Sequence, residues 1–217
     1  MSAALAALAT RGELRRYRKG TLLIQEGDVG DTIFIILEGN LRVFSADDNA
    51  REITYGVYGP GEYLGEISLD GGPRSASVIT VQASRCSVVG RRTLERFIAE
   101  RPEFAFELLA KVISRARVAT LNARQLALND VYGRLRLLLG ELAPAPRHEA
   151  PAPDMSDGQP PAQAPAARIT HQEMANRLGC SREMVSRLMK DLERGGYVDA
   201  SAGRGWVRLI KPLPQRW

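Results

Sequence analysis

Residues 61–78 read GEYLGEISLDGGPRSASV, and the fold of the chain turns on what this stretch can hold. A carboxylate, Glu66, follows Gly65. A guanidinium, Arg74, stands directly before a hydroxyl, Ser75, and Gly71, Gly72 and Pro73 turn the chain between the two pairs. Arginine offers a planar fork of donors matched to phosphate oxygens, serine adds a donor, and glycine lets backbone N–H groups reach an anion with no Cβ in the way. Glu66 would repel a bare phosphate but accepts hydrogen bonds from sugar hydroxyls, so the set suits a ribose phosphate. Residue types alone leave an ordinary surface turn open as well.

Over its whole length the run resembles the phosphate-binding cassette of cyclic-nucleotide-binding domains, where a Gly-Glu pair and an Arg-Ser pair bracket a short helix. Gly65, Glu66, Arg74 and Ser75 lie in register with that pattern. The resemblance implies a cyclic nucleotide as ligand, with Arg74 and Ser75 on its phosphate and Glu66 on its ribose.

Outward from the cassette, Leu14 to about Gly90 is a series of short runs rich in β-branched and aromatic residues: TLLIQEG, TIFIILEG, LRVFSADD, REITYGVY, SASVITV and SRCSVVG. Each is bounded by Gly, Asp, Asn or Pro, which predicts strands. Gly39-Asn40 and Asp47-Asp48-Asn49 read as hairpin turns. Many short strands at near-regular spacing predict an antiparallel roll or barrel, and the resemblance names it as the double-stranded β-helix of a cyclic-nucleotide-binding domain. A metal-dependent jelly-roll enzyme of the cupin kind would share the strand pattern. It would need a cluster of histidine ligands, and the two histidines here, His148 and His171, both lie outside the roll. No catalytic or metal-binding residue is expected.

From about Arg91 to Leu128 the period changes from two to about 3.5. Ala105, Leu109, Val112, Ala116, Ala119, Ala123 and Leu126 recur at alternate spacings of four and three, an a/d stripe free of Pro and Gly. Such a seam predicts a parallel homodimer through a helix over about 101–128, with Phe104, Leu108 and Leu121 left to pack on the roll. Counted from the cassette, Ala119 and Thr120 fall where cyclic-AMP receptor proteins carry two adjacent hydroxyls that contact adenine. Thr120 matches the hydroxyl that reaches the partner's nucleotide. Ala119 departs from the pattern, which bears on the choice of base and leaves a cyclic dinucleotide, or no ligand, as alternatives to cyclic AMP.

Asn129-Asp130 offers an N-cap to a further helix through Val131, Leu135, Leu138 and Leu139, making a hinge. Residues 144–167 hold seven of the twelve prolines and read as an extended linker that includes His148. In relatives the corresponding loop can touch RNA polymerase. From residue 170 to about 195, two helices joined at Gly179 and capped by Thr170 and Ser181, followed by a β pair around Gly203 to Gly205, predict a winged helix-turn-helix. Arg182, Glu183 and Arg187 share one face of the second helix. Arginine can read guanine O6 and N7, and glutamate can accept from cytosine N4. A plain i, i+4 ion pair between Glu183 and Arg187 is the structural alternative. GCSREMVSRLMKDLE resembles the recognition helix of the cyclic-AMP receptor protein family, which implies that this trio reads a TGTGA-type half-site while Thr170, Gln172 and Ser181 meet phosphates.

Charge agrees with that placement. Residues 168–217 carry ten Lys and Arg against five Asp and Glu, the rest of the chain is balanced, and the whole net charge of +5 therefore lies where a polyanion such as double-stranded DNA would bind. No run reaches the ~20 apolar residues that cross a bilayer, and Cys86 and Cys180 suit neither a disulfide framework nor a four-thiolate site. The resulting expectation is an α+β cytoplasmic protein of two parts. Residues 1–128 form a sensor with its dimerisation helix, and residues 129–217 form the DNA-binding part.

Overall fold

The computed structural model describes residues 1–48, 51–142, 167–199 and 205–215. The chain forms two units, Met1–Leu121 and Asn122–Trp217.

In the first unit a short helix α1 (Ala3–Ala9), capped by the Ser2 hydroxyl, precedes strands β1 (Glu13–Tyr17), β2 (Leu22–Ile24), β3 (Thr32–Glu38), β4 (Leu41–Ala46), β5 (Glu52–Tyr58), β6 (Tyr63–Leu64), β7 (Ser77–Thr80) and β8 (Ser84–Gly90). Two helices follow, α2 (Arg91–Glu100) and α3 (Glu103–Leu128), the latter entering the second unit after Leu121. The strands make two four-stranded antiparallel sheets, ordered β1-β8-β3-β6 and β2-β7-β4-β5. Strand β3 shows why its sequence reads as an unbroken apolar run: Phe34 and Ile36 face a core with Ile24, Leu41, Leu64 and Val78, and Ile33 and Ile35 face a second core with Leu5, Leu8, Phe97 and Phe104. Both faces of the strand are dry, so alternation disappears.

One expectation fails here. Gly39-Asn40 does not close a hairpin, because β3 and β4 lie in different sheets; it is a corner between them. Gly39 has φ 84°, and a Cβ there would fall 2.2 Å from the Ser84 hydroxyl, so glycine is required to turn so tightly. The helix expected over about 101–128 is α3; α2 precedes it across a break at Arg101-Pro102, where Phe97 meets Phe104 edge-on at 5.2 Å. The turn at Asp47 joins paired strands β4 and β5, its carboxylate accepting from the Arg51 N–H; Asn49 lies outside the described residues.

The second unit contains α4 (Val131–Leu142), β9 (Ala167–Arg168), α5 (His171–Leu178), α6 (Arg182–Arg194), β10 (Val198–Asp199) and β11 (Trp206–Leu209). The three strands form one antiparallel sheet in the order β10-β11-β9. Leu135, Leu139, Met174, Leu178, Val185, Met189, Leu192 and Val207 form one core beneath α5 and α6. Asp130 accepts from the Gly133 N–H at the start of α4. The Arg134 guanidinium donates to the Asn129 and Leu178 carbonyls, closing helix ends that lack internal partners. The expected linker at 144–166, with His148, and the wing tip at Gly203 and Arg204 lie outside the described residues.

Candidate ligand pocket and DNA-reading surface

The cassette folds as β6, a single 3-10 turn at Ile67–Asp70, and a bend into β7. Gly65 takes φ 95°, and a Cβ there would lie 2.6 Å from the Thr32 carbonyl and 2.7 Å from the Arg74 guanidinium, so the approach of three segments depends on this glycine. Arg74 is 6% exposed. Its Nη1 donates to the Gly65 carbonyl and the Ser68 hydroxyl, both at 2.8 Å, and its Nη2 donates to the Thr32 hydroxyl at 3.0 Å. Burial pushes its pKa below the ordinary arginine value, while the negative charges of Asp31 and Glu66 pull it back. Arginine stays cationic at neutral pH through such shifts, so the cassette holds a buried cation.

Glu66 is also buried, but not free as a lone ribose acceptor. Its Oε1 pairs with Nη1 of Arg115 on α3, whose Nη2 donates to the Tyr63 carbonyl at 2.5 Å. The Arg115 guanidinium lies 5.1 Å from the Tyr58 ring centroid and 5.5 Å from that of Tyr63. Burial pushes the Tyr63 phenol up to about 12, so the ring beside this cation stays neutral. Arg115 Nε is buried with no partner in the structure, one more donor turned inward beside the cassette. Sequence reasoning passed over Arg115, Thr32 and Ser68. A single arginine on a polar helix flank reads as a solvated charge; only its place between two seam residues, Val112 and Ala116, hinted otherwise.

Ser75 is exposed at the lip of the cassette. Ala119 and Thr120 are exposed on α3, and the Thr120 hydroxyl donates back to the Ala116 carbonyl at 3.0 Å, so neither joins the cassette of its own chain. The seam stands open: Leu109, Val112 and Leu126 are 53%, 41% and 44% exposed. Phe104 and Leu108 pack on the roll as expected, whereas Leu121, at 54% exposed, does not and joins the open face.

In the second unit Thr170 caps α5 in a full capping box with Glu173, and the Ser181 hydroxyl caps α6. Gly179 turns between the helices with φ 63°. Gln172 bonds Asn176 within α5. Arg182, Glu183 and Arg187 are all exposed on α6, and among the described residues no ion pair joins Glu183 to Arg187. The Glu183 backbone N–H and the Ser181 hydroxyl hold its carboxylate below the usual range. His171 is partly buried, its Nδ1 2.9 Å from the Ser186 hydroxyl across the two helices, and burial with the nearby Arg182 charge lowers its pKa.

With this geometry in view, residues 14–101 match the cyclic nucleotide-binding domain, and residues 168–197 match the family of bacterial regulatory proteins called the crp family. The chain is 30% identical over 211 residues to the CRP-like cAMP-activated global transcriptional regulator of Mycobacterium tuberculosis, covering 95% of this chain and 84% of that one. The chain belongs to the crp family. Vfr, a cAMP-activated global transcriptional regulator of Pseudomonas aeruginosa, is 30% identical over 189 residues, covering 85% of this chain and 84% of its own. Among solved structures, the c-di-GMP-responsive global regulator CLP of Xanthomonas campestris aligns with a TM-score of 0.80 at 25% identity, covering 97% of this chain and all of that one. As a crp-family member the chain is a transcription regulator and DNA-binding protein, which sets aside the jelly-roll enzyme. Among the described residues no helix is long and apolar enough to cross a membrane.

Proposed function

We propose that this crp-family chain is a homodimeric, cyclic-AMP-responsive regulator acting in the cytoplasm on palindromes of TGTGA type. The observation that carries the reading is Arg74, a buried cation fixed by three hydrogen bonds beside a buried carboxylate. In this reading the cyclic phosphate rests on Arg74 and Ser75, with the Gly65 backbone close by and Arg115 Nε as a further donor. Glu66, whose ion pair runs through Oε1, accepts the ribose 2′-OH on its other oxygen. Thr120 of α3 reaches across the dimer seam to the partner's nucleotide, and Ala119 supplies no hydroxyl for the base. The sensor with its dimerisation helix spans 1–128 and the DNA-binding part 129–217. Dimerisation along α3 sets two α6 helices on successive major-groove faces, roughly 34 Å apart. Arg182, Glu183 and Arg187 read bases, and Thr170, Gln172 and Ser181 position the protein on phosphates. RNA polymerase is the further partner expected of such a regulator.

A second reading, a cyclic dinucleotide as ligand, is favoured by Ala119 and by the likeness to CLP. Calorimetry with cyclic AMP, cyclic GMP and cyclic di-GMP separates the two. Cyclic AMP should bind at one site per protomer and at least ~10-fold more tightly than the others, a difference of about 1.4 kcal/mol. Preference for cyclic di-GMP would transfer the pocket to the second reading, and silence with all three would remove the nucleotide altogether.

The readout can be tested one base at a time. Changing Arg182 to alanine should cost about 1–3 kcal/mol on the intact palindrome and relax the preference at a single guanine, as read by selection from a randomised DNA pool. An unchanged consensus would contradict the assignment of that side chain to a base.

A further inference from the structure

The segment from Gly27 to Thr32, outside the cassette, holds Arg74 at both ends. The Gly27 N–H donates to the Arg74 carbonyl at 2.9 Å, and the Arg74 N–H donates to the Asp28 carbonyl at 2.8 Å. Val29 bridges to Pro73. Gly30 passes so near the guanidinium that a Cβ would stand 2.6 Å from Nη2 and 2.7 Å from Nε. At the end of the segment, where β3 begins, the Thr32 hydroxyl accepts from Nη2 at 3.0 Å.

The three side-chain bonds of Arg74 are not equivalent. Two of them, to Gly65 and Ser68, converge on Nη1 and hold one corner of the planar group. The third, to Thr32, holds Nη2 at the other corner and takes up one of that nitrogen's N–H groups. A guanidinium recognises phosphate through the direction of its donors as well as its charge. We infer that Thr32 is a positioning residue for the bound anion: it touches Arg74, and by occupying one N–H of Nη2 it sets which donors of the guanidinium are left to meet the phosphate oxygens. This rests on the cyclic-nucleotide reading above. A site whose supporting shell is loosened keeps its charge but loses its aim.

The test uses the full-length protein and calorimetry with cyclic AMP and its two phosphorothioate diastereomers, in which one or the other exocyclic oxygen is replaced by sulfur. Thr32→Val keeps the shape and removes the acceptor; Thr32→Ser keeps the acceptor. Thr32→Val should bind cyclic AMP roughly 10-fold more weakly, because the donors of Arg74 are no longer held in the direction the phosphate needs. It should also narrow the ratio of affinities for the two diastereomers. Thr32→Ser should restore both quantities. A merely structural role would weaken both diastereomers alike, and that result would overturn the inference, as would a Thr32→Val protein with wild-type affinity and ratio. If the wild type itself binds no cyclic AMP, the nucleotide reading falls, and the role of Thr32 falls with it.

Discussion

Replacing Arg74 with leucine should abolish ligand-stimulated DNA binding while leaving weak, salt-sensitive association with any duplex. The cation is buried and makes three hydrogen bonds with segments far apart in sequence, so leucine removes the phosphate partner and takes a donor from the Gly65 carbonyl and from the Ser68 and Thr32 hydroxyls. Truncating one member of a buried, hydrogen-bonded charged contact typically costs about 2–5 kcal/mol, enough to lift the ligand dissociation constant by roughly 30-fold or more. The basic residues of the second unit are untouched, and their attraction to phosphates needs no ligand. Anisotropy titrations of labelled operator, with and without cyclic AMP and at two salt concentrations, read both parts. A mutant that still responded fully to the nucleotide would show that the cassette is not the site.

Val112→Arg should convert the protein to a monomer. Val112 lies at the centre of the α3 stripe and is 41% exposed in the single chain, between Leu109 and Ala116. In a symmetric parallel pair each seam residue meets its own copy, so the substitution buries two like charges face to face. Removing such contacts also removes the second half-site, and affinity for the palindrome should fall by at least ~100-fold, toward the nonspecific level. Sedimentation at micromolar concentration reports the mass directly. A variant that remained dimeric would place the subunit interface elsewhere than on this stripe.

The elements that could be read ahead of the structure were those whose physics is local. Turn residues punctuate the strands of the roll, so β2 to β5, β7 and β8 appear where the sequence placed them. The caps at Thr170 and Ser181 mark the starts of α5 and α6 in the same way. Non-local choices were harder. Nothing in Gly39-Asn40 says whether the next strand pairs with the last or crosses to another sheet; that depends on the side chains of Ser84 and its neighbours filling the corner. Helix α1 is seven residues of mostly alanine with only Leu5 and Leu8 buried, too short to show a period. At the candidate site, Glu66 and Arg74 could be singled out because the cassette is contiguous. Arg115 and Thr32 come from α3 and β3, and their roles exist only once the fold brings them to the cassette. Leu121 shows the same limit from the other side: its spacing allowed it to pack on the roll, yet it lies exposed with the seam.

Occupancy of one buried cation site governing how firmly the dimer holds its operator is the core of the account. The direct measurement is the equilibrium affinity of the full-length wild type for a TGTGA-type palindrome, with cyclic AMP absent and saturating, beside a scrambled duplex of equal length. A coupling of about 1–3 kcal/mol predicts a 5- to 150-fold gain with nucleotide on the palindrome and none on the scrambled duplex. Superimposable binding curves with and without the nucleotide would contradict it.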